Sequence, residues 1–146
     1  MKILAIDLGS LRTGLAFCDK NETLAMPLAT ICETNKNKLI EKILEQIQKL
    51  KIEMIVIGNP INMNGSTGLQ SKNCEKFANW LKQCSGLPVN LWDERQTTTI
   101  ANRIMTSLKT KKKHKKNLVD KIAATLILES YLKFRKNNKL NNLSLF

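Results

Sequence analysis

The sequence is poor in the residues that support several common kinds of catalytic and metal site. Its one histidine, His114, lies inside a lysine-rich run, so a Ser-His or Cys-His nucleophilic mechanism lacks its usual base. The four cysteines form no C-x-x-C pair, which argues against the usual structural zinc patterns. Scattered thiols of this kind commonly serve as small buried hydrophobes in a reducing compartment.

Long apolar runs are missing as well. No run approaches the roughly 20 residues that a membrane span requires. Residues 1–8 also lack the basic-then-apolar order of a signal peptide. We therefore expect a cytoplasmic protein that has no membrane partner.

Acidic residues are few compared with basic ones. The chain has 24 Lys and Arg against 12 Asp and Glu, a formal net charge of +12. Such a charge favours a polyanionic partner, either nucleic acid or an anionic membrane surface. The length of 146 residues fits one domain. We place that domain at residues 1–134 and expect a polar, fraying tail at 135–146.

The apolar periodicity predicts an α/β domain with a five-stranded mixed sheet flanked by helices. Three strands come first and form antiparallel hairpins, with Pro27 suited to an edge strand or a bulge. Helices and strands then alternate, so right-handed crossovers would make the fourth and fifth strands parallel to the first. The predicted strands are 2–8, 13–19, 23–32, 52–58 and 88–93, and the predicted helices are 35–50, a segment capped by Ser66 or Thr67 and ending near Cys84, 96–108 and 117–134.

Acidic side chains follow the predicted parallel strands at the edge of the sheet where ligands gather in such folds. Asp7 ends the first strand, and Asp93 with Glu94 ends the fifth. Asp7 has the side-chain parity of Ile3 and Ala5. It either shapes the turn into Gly9 through its own hydrogen bonds or serves as a catalytic or metal-binding carboxylate.

Asp120 is a second unusual acid, because it lies on the apolar stripe of the last predicted helix. If Asn117 caps that helix, Asp120 occupies the third position and completes a capping arrangement. Alternatively, the small side chains of Ala123 and Ala124 let the helix approach the sheet and bring Asp120 towards Asp7. The sequence alone leaves both interpretations open.

A group of carboxylates at a sheet edge suits Mg²⁺ or Mn²⁺, which prefer oxygen ligands. One or two such ions can activate water and stabilise the leaving oxygen in phosphodiester hydrolysis. That chemistry needs neither histidine nor thiol. It also fits a basic protein, because lysine and arginine can hold the phosphate backbone while the acids hold the metal.

Several basic and aromatic residues are candidate nucleic-acid contacts, each with a structural alternative. Arg12 could contact phosphate, although SLRTG also reads as a hairpin turn. Arg95 could bind phosphate or pair with Glu94. The lysine run could contact nucleic acid or be a solvated loop; its candidates are Lys111, Lys112, Lys113, Lys115 and Lys116. Trp80 reads as core, whereas Trp92 could stack on a base or be buried.

Four segments in this order resemble the YqgF family, small bacterial proteins of RNase H-like fold that are described as Holliday-junction resolvases or as nucleases for pre-16S ribosomal RNA. The segments are AIDLGSLRTGLA, VIGNPINMNGSTG, WDERQTTT and VDKIAATLILESYL, and the similarity extends from Lys2 to about Phe134.

The resemblance implies catalytic and metal-binding roles for Asp7, Glu94 and Asp120, with Asp93 adjacent. It also implies that the glycine-rich loop, with Asn64, Gly65 and Ser66, contacts nucleic acid. The fourth strand has no acid where RNase H-like resolvases usually carry one, so Glu94 must substitute for it if two metals are to bind.

We therefore expect a Mg²⁺- or Mn²⁺-dependent endonuclease, a monomer or a homodimer, that processes the 5′ end of pre-16S rRNA. A resolvase of branched DNA is the alternative within the same class, and it would require a symmetric dimer. A non-catalytic factor that binds nucleic acid through its basic face is an alternative from another class. Actin-like nucleotide hydrolysis is a remote fourth option, because DLGSLRTG also suits a phosphate-binding turn.

Overall fold

The computed structural model of the chain describes residues 1–60, 68–94 and 116–144, with side chains of the last segment from 120 to 141. Its strands are β1 (Ile3–Asp7), β2 (Arg12–Cys18), β3 (Ala25–Cys32), β4 (Met54–Asn59) and β5 (Val89–Asp93). Its helices are α1 (Lys36–Leu50), α2 (Leu69–Ser85) and α3 (Lys116–Ser144). The described residues include no helix long and apolar enough to cross a membrane.

The five strands form one mixed sheet in the order β3-β2-β1-β4-β5. Strand β2 is antiparallel to β1 and to β3, whereas β4 is parallel to β1 and to β5. The predicted five-stranded α/β architecture is therefore confirmed. Pro27 lies in edge strand β3, where the pairing with β2 shifts register between Leu15 and Ala16, so the missing backbone donor interrupts no central ladder.

The two faces of the sheet are covered by different helices. Leu4, Ile6 and Ile57 pack with α1 and α2 on one face. Ile3, Ala5 and their neighbours pack with α3 on the other. Strand β4 is buried at every position, which explains why its sequence is a continuous apolar run rather than an alternating one. Alternate residues of β1 and β4 therefore belong to opposite faces.

Three predicted helix details were wrong. Gly68 is the N-cap of α2, so the cap comes from neither Ser66 nor Thr67. Helix α3 already includes Lys116, which places Asn117 inside the helix rather than at its cap. The same helix continues through the polar segment to Ser144 instead of ending near Phe134.

Candidate active site at the edge of the sheet

Asp7 lies between two glycines in a row of residues that crosses the sheet on the face covered by α3. It is paired with Gly14 of β2. On its other side, β1 and β4 pair up to Ile6 and Ile57, so the continuing register sets Asp7 beside Gly58. Neighbouring strands lie about 4.8 Å apart. The carboxylate of Asp7 is thus flanked by two residues without side chains.

Gly14 allows helix α3 to approach the sheet closely. A Cβ atom built on Gly14 would meet the backbone carbonyl of Asp120, with its carbon 2.5 Å away. Ala124, one turn further along the same helix, is completely buried. The absence of a side chain at position 14 therefore sets Asp120 against β2, next to the strand that carries Asp7.

Gly58 leaves room for the side chain of Glu94. A Cβ atom at position 58 would lie 2.6 Å from Glu94 Oε1 and 2.6 Å from Ile127 Cδ1. Glu94 follows the end of β5, yet its carboxylate lies over β4 at the position from which an acid of β4 would project towards α3. This contact fits the expectation that Glu94 substitutes for a fourth-strand acid.

Asp120 is held by an ion pair with Arg12. The Arg12 Nε donates to Asp120 Oδ2 at 2.8 Å, and the two side chains are about one third and one fifth exposed. Because α3 already includes Lys116, Asp120 does not occupy the third position after a cap at Asn117. Arg12 opens β2, so the pair joins the start of that strand to α3 across 108 positions of sequence.

Asp93 is separated from these acids. It pairs with Asn59 in the parallel β4–β5 ladder and has the parity of the face covered by α1 and α2. On that face the Asn59 side chain accepts a hydrogen bond of 2.7 Å from the buried Ser71 hydroxyl. The sheet thus brings Asp7, Glu94 and Asp120 to one face and leaves Asp93 on the other.

The thiol of Cys74 in α2 lies on that opposite face and is affected by the negative charges of the acidic edge. Burial first, and then the negative charges of Glu94 and Asp7, raise the pKa of its thiol to about 11. The thiol is therefore protonated near neutral pH and is a poor nucleophile. This agrees with the exclusion of covalent cysteine chemistry.

The described side chains form no complete metal site. Among residues 1–60, 68–94 and 120–141, no three His, Cys, Asp or Glu side chains are grouped so that they could hold an ion. The carboxylate of Asp120 is directed to Arg12 instead. The donor set on the α3 face nevertheless consists of carboxylate oxygens, the ligands that Mg²⁺ and Mn²⁺ prefer.

The other predicted contacts divide into three groups. Trp92 is partly buried; it packs against Tyr131 and Phe134 and donates its indole N–H to Ser130 Oγ at 3.1 Å, which favours a packing role over base stacking. Trp80 is 36% exposed, so its assignment to the core was wrong. The remaining candidates have side chains outside the described residues, namely Asn64, Gly65, Ser66, Arg95, Lys111, Lys112, Lys113, Lys115 and Lys116.

Sequence reasoning did not find the roles of Gly14 and Gly58. Both glycines lie inside strands, where glycine is unfavourable and often marks a close approach of another part of the protein. That rule was the available signal. It does not say which segment approaches, and Asp120 and Glu94 are far from these glycines in sequence.

The mixed sheet and the helices on its two faces define an RNase H-like domain, and the comparisons with known proteins agree. The RuvX family model, described as Holliday junction resolvase, matches residues 1–134. The chain belongs to this family, also called YqgF, and the resemblance inferred from the four motifs is confirmed.

Two curated relatives and one solved structure illustrate the similarity. The proteins from Clostridium acetobutylicum and Rickettsia peacockii are both 41% identical, over 90% and 92% of this chain and 98% and 88% of their own, and both are named "Putative pre-16S rRNA nuclease". T. thermophilus RuvC in complex with Holliday junction substrate has a TM-score of 0.61 at 13% identity, covering 92% of this chain and 96% of its own. At that identity the similarity supports the fold.

Proposed function

We propose that this protein is a divalent-metal-dependent endonuclease that cleaves phosphodiester bonds at the 5′ end of pre-16S rRNA in the cytoplasm. The proposal rests chiefly on one observation: Asp7 lies on the face of the sheet where Gly14 admits Asp120 and Gly58 admits the Glu94 carboxylate. The names of the curated relatives supply the substrate.

In this proposal, Asp7, Glu94 and Asp120 hold Mg²⁺ or Mn²⁺, one ion or two. The bound metal would activate water and stabilise charge on the leaving oxygen. Glu94 reaches the group from β5 because β4 carries glycine at position 58. Arg12 places its positive charge directly beside the Asp120 carboxylate.

The partner in this proposal is structured RNA, and the net charge of +12 supports binding through the phosphate backbone. The lysines at 111, 112, 113, 115 and 116 and the loop residues Asn64, Gly65 and Ser66 remain predicted contacts. The division into a domain at 1–134 and a tail at 135–146 also remains a prediction, as does the choice between monomer and homodimer.

The decisive substitution is Asp7→Asn. We expect it to abolish cleavage of a pre-16S rRNA fragment and to leave RNA binding largely intact. Glu41→Gln on the exposed surface of α1 makes the same charge change away from the site and is the matched control. Isothermal titration with Mn²⁺ gives a readout independent of cleavage, because D7N should lose the heat of metal binding that E41Q retains. Undiminished cleavage by D7N would refute the catalytic role proposed for Asp7.

Cleavage of a four-way DNA junction is the second candidate function, and the description of the family model favours it. Both substrates should be compared at equal enzyme concentration. Faster cleavage of the junction than of the precursor RNA would replace the rRNA proposal with resolvase activity. RNA binding that depends steeply on salt, without metal-dependent cleavage of either substrate, would support a non-catalytic binding factor instead.

A further inference from the structure

A cavity of about 440 Å³ opens beside the acidic edge, on the face of the sheet covered by α1 and α2. Its volume is within the range of small-molecule pockets. Leu8 and the exposed Ser10 form one side, and one face of α2 forms the other. The α2 face presents Phe77 and Trp80.

The charge of this cavity is positive. Lys36 and Lys76 line it, and none of the described residues that line it is acidic. Lys36 is the first residue of α1, and the first turns of α1 and α2 also lack acids. The Lys36 ammonium lies 5.8 Å from the centre of the Phe77 ring. An anionic group is therefore favoured at the mouth of the cavity.

The walls of the cavity are largely aromatic and apolar. Phe77 is only 3% exposed and forms the floor, whereas the Trp80 ring is 36% exposed. Asn73 and Gln70 add amide groups at α-helical spacing along α2, and Gln70 Nε2 donates to the Leu8 carbonyl at 3.0 Å. An exposed aromatic ring beside lysines is the combination that stacks bases while binding phosphate.

The cavity is adjacent to the acidic site through the chain itself. Asp7 faces α3, and the next residue, Leu8, faces the cavity because successive side chains alternate across a strand. A nucleic-acid strand crossing this edge of the sheet would pass from Asp7 over Gly9 and Ser10 to Trp80. The cavity is thus placed to bind nucleotides that flank the cleaved bond.

We propose that this cavity binds an unpaired nucleotide of the RNA substrate, its base against Trp80 and its phosphates near Lys36 and Lys76. The inference depends on the nuclease function proposed above. A protein partner fits this cavity less well, because the aromatic surface is bordered by lysines that would need a matching acidic patch.

The test is the affinity of the full-length protein for a short labelled oligouridylate, measured by fluorescence anisotropy at physiological salt in EDTA, where no cleavage is required. Trp80→Ala should weaken binding about ten-fold through loss of stacking, and Trp80→Phe should retain most of it. Neither variant should change affinity for an RNA duplex of equal length, whose bases are not available for stacking. Thermal unfolding of each variant monitors folding.

Two matched controls lie on the same helix outside the cavity. Leu69→Ala removes an apolar side chain that is 78% exposed, and it should leave binding unchanged. Lys76→Ala should weaken oligouridylate binding more than Lys72→Ala, which removes the same charge from an exposed position of α2 that does not line the cavity. If W80A fails to fold, this lysine pair carries the test.

The outcomes separate this inference from the proposed function. If W80A binds the oligouridylate like the unsubstituted protein, or weakens single-strand and duplex binding equally, the nucleotide site is refuted while RNA cleavage can stand. Equal losses in K76A and K72A would also refute it, because they would reflect general electrostatic binding. Absence of metal-dependent cleavage by the unsubstituted protein would refute the nuclease function and would not affect the oligouridylate comparison.

Discussion

The two glycines that flank Asp7 should respond differently to the same added methyl group. In Gly14→Ala, the new Cβ would collide with the backbone carbonyl of Asp120. A backbone atom within a helix cannot rotate away, so α3 must shift as a unit. Overpacking usually costs about 1–3 kcal/mol. We expect the upper end of that range here, about 3 kcal/mol.

In Gly58→Ala, the neighbours are the ends of two side chains, Glu94 Oε1 and Ile127 Cδ1, each 2.6 Å from the added Cβ. Both can move by rotation, so the expected cost is about 1 kcal/mol. Rotation of the Glu94 side chain away from the added methyl group would displace its carboxylate from its position over β4. Gly58→Ala should therefore reduce cleavage severely while the protein remains folded.

Thermal unfolding followed by circular dichroism measures the difference. For a chain of this size, 1 kcal/mol shifts the midpoint by about 2–4 °C, so G14A should unfold about 6–12 °C lower and G58A about 2–4 °C lower. Gly86→Ala is the control for backbone strain alone, because Gly86 has φ 71° and none of the described residues has an atom within 4 Å of an added Cβ. A midpoint for G14A no lower than that of G86A would contradict the close approach of α3 to β2.

Two further predictions concern stability away from the acidic edge. Partial burial raises the pKa of Glu22, but hydrogen bonds from Arg135 and from the amino terminus outweigh it and lower the pKa from 4.5 to about 2. The stabilisation is therefore complete above pH 4.5 and is lost as the pH falls towards 2. Glu22→Gln should lower the free energy of unfolding by about 1–2 kcal/mol at pH 7, allowing for solvent screening. It should also flatten the pH dependence of urea unfolding between pH 4.5 and 2. An unchanged pH profile would count against the ion-pair network. Thr13 is fully buried, and its hydroxyl has no hydrogen-bond partner among the described residues. Thr13→Val should therefore raise the free energy of unfolding in urea by about 1 kcal/mol. A decrease would reveal a partner for the hydroxyl.

The strands and the face of the sheet on which Asp7 lies could be predicted, because both depend on the alternation of apolar side chains along a short stretch of sequence. Alternation along β1 assigns Asp7 to the row of Ile3 and Ala5, and the structure keeps that row against α3. The position of Glu94 could not be predicted in this way, because it lies beyond the last paired residue of β5 and alternation no longer determines its direction. Its contact with Gly58 depends on the tertiary packing of two strands.

The wrong predictions concern where a helix begins and how far neighbouring elements cover its apolar face. The expected cap at Asn117, one of the two readings left open for Asp120, was wrong because α3 already includes Lys116. Trp80 looked like core because it continues the apolar stripe of Phe77 and Leu81. The neighbouring elements cover Phe77 and Leu81 but leave Trp80 at the rim, and that extent of coverage is not encoded in the stripe itself.

Arg12 shows how one residue can serve both the predicted and the observed interaction. The sequence marked it as a phosphate contact, whereas in the structure it pairs with Asp120. That pair uses Nε, one of the five N–H donors of a guanidinium. The donors on the two terminal nitrogens are not needed for it, and the side chain is 34% exposed. Arg12 can therefore fix Asp120 and still offer a planar pair of donors to phosphate, a combination that lysine, with its single ammonium, would not reproduce.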